Sequence, residues 1–312
     1  MTHFESFKKN GFCIGSKVIS EKEIVFLRKS LNRIFSLKGN PKEINLFDIE
    51  EDETVNLIYK IYASDNIKNF FIDLSKFYDH KINLIPRFII QRNYHVDREN
   101  SPGVGWHRDC AGELLKKYCK DKISNKSYIF GKMGIYLQHN SEYGGSIDLI
   151  PNSHRILISK NFIYRKLKSL KLFLITKFQK FLPLIYTKLP EKIFMETLNA
   201  KRLYPEPGSL VLWDSRIIHR GSPIDDKNKF QASFKPKEFF AEVPKEVTKF
   251  SLYVDFGNNF AFDSYMHDRN NRDFQKKEIE FLNRNLSHLQ KHSPNLYSII
   301  NSHISPTIKK YQ

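Results

Sequence analysis

A histidine and an aspartate stand two residues apart in Gly105-Trp106-His107-Arg108-Asp109, and another histidine, His219, follows the apolar run Leu210-Val211-Leu212-Trp213. On an extended strand, side chains alternate with period two, so His107 and Asp109 point to one face. A histidine brought in from a distant strand would complete two imidazoles and one carboxylate on one side of a metal. That facial set leaves three positions open and suits non-haem Fe(II), which needs them for a co-substrate and O₂. The chemistry expected of it is oxygenation.

A His-x-Asp spacing recurs by chance, and the chain holds a second copy, His95-Val96-Asp97. Its neighbours Arg92, Asn93, Arg98, Glu99 and Asn100 have the composition of a solvated loop. The pair at 107 and 109 instead follows the turn-rich Ser101-Pro102-Gly103-Val104-Gly105, at a strand start. Downstream, Glu206-Pro207-Gly208-Ser209 is a Pro-Gly turn that needs positive φ at the glycine. It leads into the strand that carries the chain to His219.

The elements that must position these residues are short. Phe88-Ile89-Ile90, Met133 to Leu137, Ser146 to Ile150, Leu210 to Trp213 and Phe250 to Phe256 are apolar or alternating runs bounded by turn formers and charges. Helical patterns flank them. Ser20 and Glu23 have capping-box spacing ahead of a stripe of Ile24, Leu27, Leu31 and Ile34. Ile279, Leu282, Leu286 and Leu289 repeat the stripe near the C-terminus.

Four segments occur in one order: Gly-Trp-His-Arg-Asp at 105–109, Gly134-Ile135-Tyr136-Leu137-Gln138, Gly144-Gly145-Ser146 through Pro151-Asn152-Ser153-His154-Arg155, and Pro207-Gly208-Ser209 through His219. Over about residues 85–257 the chain resembles the phytanoyl-CoA dioxygenase family of Fe(II)- and 2-oxoglutarate-dependent oxygenases. Asn152 stands where that family usually has glycine, and asparagine also tolerates a left-handed turn. The resemblance implies a double-stranded β-helix, a jelly-roll (cupin-like) core of about eight strands. N- and C-terminal helices would flank it within a single domain spanning 1–312. A basic helical insertion would occupy about 156–200, and the C-terminal helices about 270–305.

It also implies a site. His107, Asp109 and His219 would hold Fe(II), and 2-oxoglutarate would chelate the iron while its far carboxylate meets a cation. At the family's usual arginine position stands Lys249, with Ser251 on the same strand face. Lysine offers a point charge where arginine offers a fork, so Arg220 and Arg216 are rivals. Tyr136 and Gln138 share a strand face and are candidate pocket residues, Tyr136 equally an ordinary packing residue. Trp106 reads as core, Asp214 as a strand-end turn residue, and His154 as a non-ligand. Arg108 and Arg155 are candidate contacts for an acidic substrate. Halogenating relatives lack the carboxylate, so Asp109 argues against halogenation, and the simplest reaction the resemblance implies is hydroxylation of a C–H bond with release of succinate and CO₂.

Composition bounds the partners. The 312 residues include 51 Lys and Arg against 34 Asp and Glu, a net charge of +17, and 40% are hydrophobic. Nucleic acid is the first partner such a charge suggests, but no nucleic-acid motif is visible. Between Lys160 and Pro190 there are eight Lys or Arg and no acid, with a stripe of Leu167, Leu170, Leu174, Phe178 and Phe181. That pattern suits either packing on the core or peripheral contact with an anionic membrane surface, and hence a small-molecule or lipid- or glycan-linked substrate. Three cysteines, Cys13, Cys110 and Cys119, form neither a disulfide framework nor a zinc motif. With no signal peptide and no run of apolar residues long enough to span a bilayer, a cytoplasmic setting is the expectation. The competing class is a jelly-roll binding module that keeps a metal or ligand site without turnover and offers its basic surface to an anionic partner.

Overall fold

A computed structural model of the chain describes residues 2–93, 106–109, 127–139, 147–158, 163, 167, 195–196, 198–221, 249–268 and 272–311. Two antiparallel sheets form its centre. The large sheet runs β1 (Phe12–Lys17), β7 (Ser209–Asp214), β4 (Phe130–Tyr136), β9 (Lys249–Asn258), β3 (Ile82–Asn93), β2 (Glu43–Asn45). The small sheet runs β6 (Lys201–Arg202), β5 (Ile147–Ile150), β8 (Ile218–Gly221). Jelly-roll architecture with flanking helices is therefore as expected. Each apolar run read from the sequence falls, over its described residues, on one of these strands, with Leu137 one residue past the end of β4. The edge strands β1 and β2 come from residues before the motif-bearing region and carry no regular alternation that would have announced them.

Period-two alternation gives the large sheet two different faces. Met133, Ile135, Leu210, Leu212, Phe250, Leu252, Val254 and Phe256 point outward into the main core. They pack there under the helices α1 (His3–Asn10), α2 (Glu21–Leu37), α3 (Asp52–Tyr62) and α4 (Asp65–Tyr78). The helices α5 (Asn259–Asp268), α6 (Arg272–His292) and α7 (Pro294–Tyr311) complete the cover. The inward face supplies Phe12, Tyr136, Val211 and Trp213, which meet Ile147 and Leu149 of the small sheet. Helix α2 starts at the expected capping box: Ser20 Oγ accepts from Glu23 N, and Glu23 Oε2 accepts from Ser20 N at 2.9 Å. Its stripe is buried, as are Ile279, Leu282, Leu286 and Leu289 on α6. Gly208 (φ +80°) and Asn152 (φ +63°) adopt the left-handed conformations their turns require.

The contact of α3 with α6 is an imidazole pair. His288 and His292 lie with centroids 4.5 Å apart and planes tilted by 46°, His288 Nδ1 hydrogen-bonds Tyr59 Oη at 2.9 Å, and His292 Nδ1 lies 2.9 Å from Asn56 Oδ1. Burial, with His292 and Lys291 nearby, pushes His288 down to about 4 from its ordinary 6.5, against the opposing pull of Asp52 and Asp48. The unfolded chain therefore binds more protons than the folded one between those values. The contribution is complete above pH 6.5 and is lost as pH falls toward 4. Melting temperature should drop across that window in the wild type, and drop less in His288→Gln. Equal slopes in the two proteins would remove His288 from the effect.

Candidate metal centre

His107 and His219 face each other across a reciprocal backbone pair. His107 N donates to His219 O and His219 N donates to His107 O, both at 2.9 Å. Opposed residues of an antiparallel pair project to the same side, and the two rings lie with centroids 4.4 Å apart. Two residues on, Asp109 returns to that side. Its Oδ1 is 3.7 Å from His107 Nε2 and 3.5 Å from His219 Nε2, and the three ligand atoms lie within 4.8 Å of one another. Ligand bonds of about 2 Å in a facial set put the donor atoms about 3 Å apart, so a small inward turn of these side chains would bring all three onto one ion. Two imidazoles and a carboxylate on one side of an ion are the donor set of a facial-triad iron site, so the residues present fit Fe(II).

Neighbouring groups fix the orientation of these ligands. His219 Nδ1 is 3.1 Å from the Ile217 carbonyl; a proton there donates to the carbonyl and leaves the Nε2 lone pair for a metal. Trp213 Nε1 donates to Asp109 Oδ2 at 3.0 Å, leaving Oδ1 turned to the histidines. Glycine at 134 makes room for that indole. A Cβ there would lie 2.8 Å from the Tyr253 ring and 3.1 Å from the Trp213 ring. Lys132, inward-facing on β4, puts Nζ 3.8 Å from Asp109 Oδ1. Burial by itself would raise the Asp109 pKa, yet His219 and Lys132 hold it well below the usual carboxylate range. Burial would lower that of Lys132, but Asp109 and Asp255 raise it, so it stays an ammonium.

The sequence reading missed Trp213 and Lys132. Both were accessible to it: a buried indole N–H needs an acceptor, and Lys132 has the strand parity of Gly134, Tyr136 and Gln138.

Further along the same inward face are Tyr253, Ser251 and Lys249 of β9. Tyr253 packs edge-on to Trp213 with centroids 5.8 Å apart, and Ser251 is the cross-strand partner of Tyr136. Lys249, Ser251 and Tyr136 are buried. Gln138 Oε1 accepts Phe250 N at 2.9 Å, so its carboxamide ties the start of β9 to the end of β4. Arg220 lies elsewhere. Leu149 pairs with His219 and Asp148 with Arg220, so Arg220 is on the outer face of the small sheet, away from His219. There its Nε and Nη2 each sit 3.0 Å from Asp148 Oδ2, and its guanidinium lies 4.7 Å from the Trp106 ring centroid. Arg202 binds the same carboxylate.

Arg216 is held by Asp214 through its backbone N and guanidinium, the turn role expected of that aspartate. Arg108 Nε donates to the Arg216 carbonyl at 2.8 Å, and Arg155 is exposed. Trp106 is a buried packing residue, and His154 is buried against the α1 carbonyl of Lys8. His95, Asp97, Gly105, Gly144 to Ser146, Cys110 and Cys119 lie outside the described residues. So does most of the basic segment, although its Ile163 and Leu167 are described and exposed. Among the described residues no helix is long and apolar enough to cross a membrane.

No family model and no curated protein matches the chain. Solved structures do. AviO1 from Streptomyces viridochromogenes Tue57 is 11% identical with a TM-score of 0.45, over 82% of this chain and 93% of that one. HygX from Streptomyces hygroscopicus with nickel and 2-oxoglutarate bound is 13% identical with a TM-score of 0.46, over 82% and 87%. EctD from S. alaskensis with 2-oxoglutarate and 5-hydroxyectoine is 12% identical with a TM-score of 0.43, over 81% and 74%. At identities and TM-scores this low, nothing passes from those proteins to the residues or ligands of this chain.

Proposed function

We propose that this chain is an Fe(II)- and 2-oxoglutarate-dependent dioxygenase that hydroxylates a C–H bond of a small molecule. The observation that carries the reading is the opposed pair His107 and His219 with Asp109 beside them, inside a jelly roll. When bound, iron with O₂ and 2-oxoglutarate supplies the oxidising chemistry, and the keto acid leaves as succinate and CO₂. The protein's own part is positional. His219 presents Nε2 because Nδ1 has the Ile217 carbonyl, and Trp213 keeps Asp109 turned inward. Lys249, with Ser251 on the same face, is the cation for the far carboxylate of 2-oxoglutarate. Tyr136 and Gln138 shape the wall between. The pairing of the Arg220 guanidinium with Asp148 supports Lys249 over Arg220 for that role.

Purified protein supplied anaerobically with Fe(II), then given O₂ and 2-oxoglutarate, should release succinate, faster once a substrate is present. Iron binding with no succinate under any condition would favour a jelly-roll binding module. The finer reading is a lipid- or glycan-linked substrate met at an anionic membrane surface, supported by the acid-free segment and the exposed Ile163 and Leu167. Each Lys or Arg near such a surface contributes about 1 kcal/mol, screened by salt. Salt-sensitive sedimentation with anionic but not neutral vesicles is expected; equal partitioning to both, or none, returns a soluble substrate.

A further inference from the structure

Beside the metal ligands runs a ladder of alternating charge that the oxygenase reading does not use. Asp109 Oδ1 meets Lys132 Nζ at 3.8 Å. Across the sheet Lys132 pairs in register with Asp255, and Asp255 Oδ2 accepts from Arg87 Nε at 3.0 Å. Arg87 in turn hydrogen-bonds Glu278 of α6 and, at 2.7 Å, the Tyr265 hydroxyl of α5. Lys132 stands on the inward face of the sheet with 31% of its side chain exposed, so its charge loses part of its water. Its Asp109 partner is the one carboxylate of the candidate metal set. Arg87 is one cation bridging two carboxylates, Asp255 and Glu278, so Lys132 is shared between Asp255 on one side and Asp109 on the other.

We propose that Lys132 is a positioning residue that acts as a built-in stand-in cation for the metal site. It answers Asp109 while the ion is absent and weakens the hold on the ion once it arrives. The inference rests on the metal-centre reading above. With neutral histidines, the three carboxylates and two cations of the ladder leave one negative charge for an incoming divalent ion. Without Lys132 they would leave two. A unit charge this near a ligand oxygen is only partly screened in a buried site, so the ammonium opposes the ion and draws electron density from Asp109. Lys132 thereby makes iron exchangeable and the bound ion a stronger Lewis acid. Asp255 has the opposite influence, because it draws Lys132 away from Asp109.

The test is an anaerobic Fe(II) titration of apo wild type, Lys132→Met, Lys132→Arg and Asp255→Asn, with 2-oxoglutarate added at the end. Lys132→Met should bind iron about tenfold more tightly and show a larger iron-induced rise in melting temperature. Its iron-to-2-oxoglutarate charge-transfer band should move to longer wavelength, because the carboxylate donates more. Lys132→Arg should resemble wild type, and Asp255→Asn should bind more weakly. A merely structural lysine would lower the melting temperature of Lys132→Met without tightening iron. Equal or weaker iron binding in folded Lys132→Met overturns the inference while the metal centre stands. Failure of wild type itself to bind iron overturns both and is recognised in the first titration.

Discussion

His107→Ala, Asp109→Ala and His219→Ala should each lower iron affinity by more than about 100-fold and abolish 2-oxoglutarate turnover. Loss of a residue that merely orients a ligand already costs about 10–100-fold, and here one of three protein ligands is removed. Each change should leave a folded protein. The backbone pair between residues 107 and 219 needs no side chain, and a melting curve of each variant checks the fold, above all for Asp109→Ala, which takes a partner from Trp213 and Lys132. Trp213→Phe separates orientation from ligation: it keeps all three ligands, removes the 3.0 Å bond to Asp109 Oδ2, and should fall in the 10–100-fold range. His95→Ala and Asp97→Ala should be nearly silent. Iron affinity is read by anaerobic titration and turnover by succinate. An essential His95 beside a dispensable His107 would sink the assignment.

Lys249→Ala should raise the 2-oxoglutarate requirement more than about tenfold, because a charge-assisted hydrogen bond in a closed site is worth roughly 1.5–3 kcal/mol and about 1.4 kcal/mol is a factor of ten. Iron affinity without 2-oxoglutarate should be unchanged. Lys249→Arg should retain much of the function, since the charge survives although its shape changes. Arg220→Ala should behave differently. It removes one of the two guanidinium partners of fully buried Asp148 and leaves Arg202 as the other, so the loss should stay below the roughly 3–5 kcal/mol of a buried charge left with no partner. The expected outcome is a lower melting temperature with an unaltered 2-oxoglutarate requirement in the protein that remains folded. An unaltered requirement in Lys249→Ala and a large one in Arg220→Ala would return the role to the arginine.

The sequence by itself determined what depends on local periodicity. Alternation named β4, β7 and β9, helical stripes named α2 and α6, and Ser20 with Glu23 marked a helix start. Period two also put Lys249 beside Ser251 before any strand pairing was known; His107 and Asp109 share a side as the spacing suggested, but by a single bridge at His107 followed by a turn at Asp109 and not along a strand. The same rule separates Arg220 from His219, because adjacent strand residues do not share a face, and β8 does place them on opposite sides. What needed the tertiary structure was register. That His107 opposes His219 follows from backbone hydrogen bonds between segments more than a hundred residues apart, and no local pattern encodes that pairing. Register likewise brought Trp213 and Lys132 to Asp109 and Asp255 to Lys132. The edge strands β1 and β2 were invisible for a related reason: β2 is three residues long and β1 has no regular alternation, and each is held as a strand by its pairing with β3 or β7.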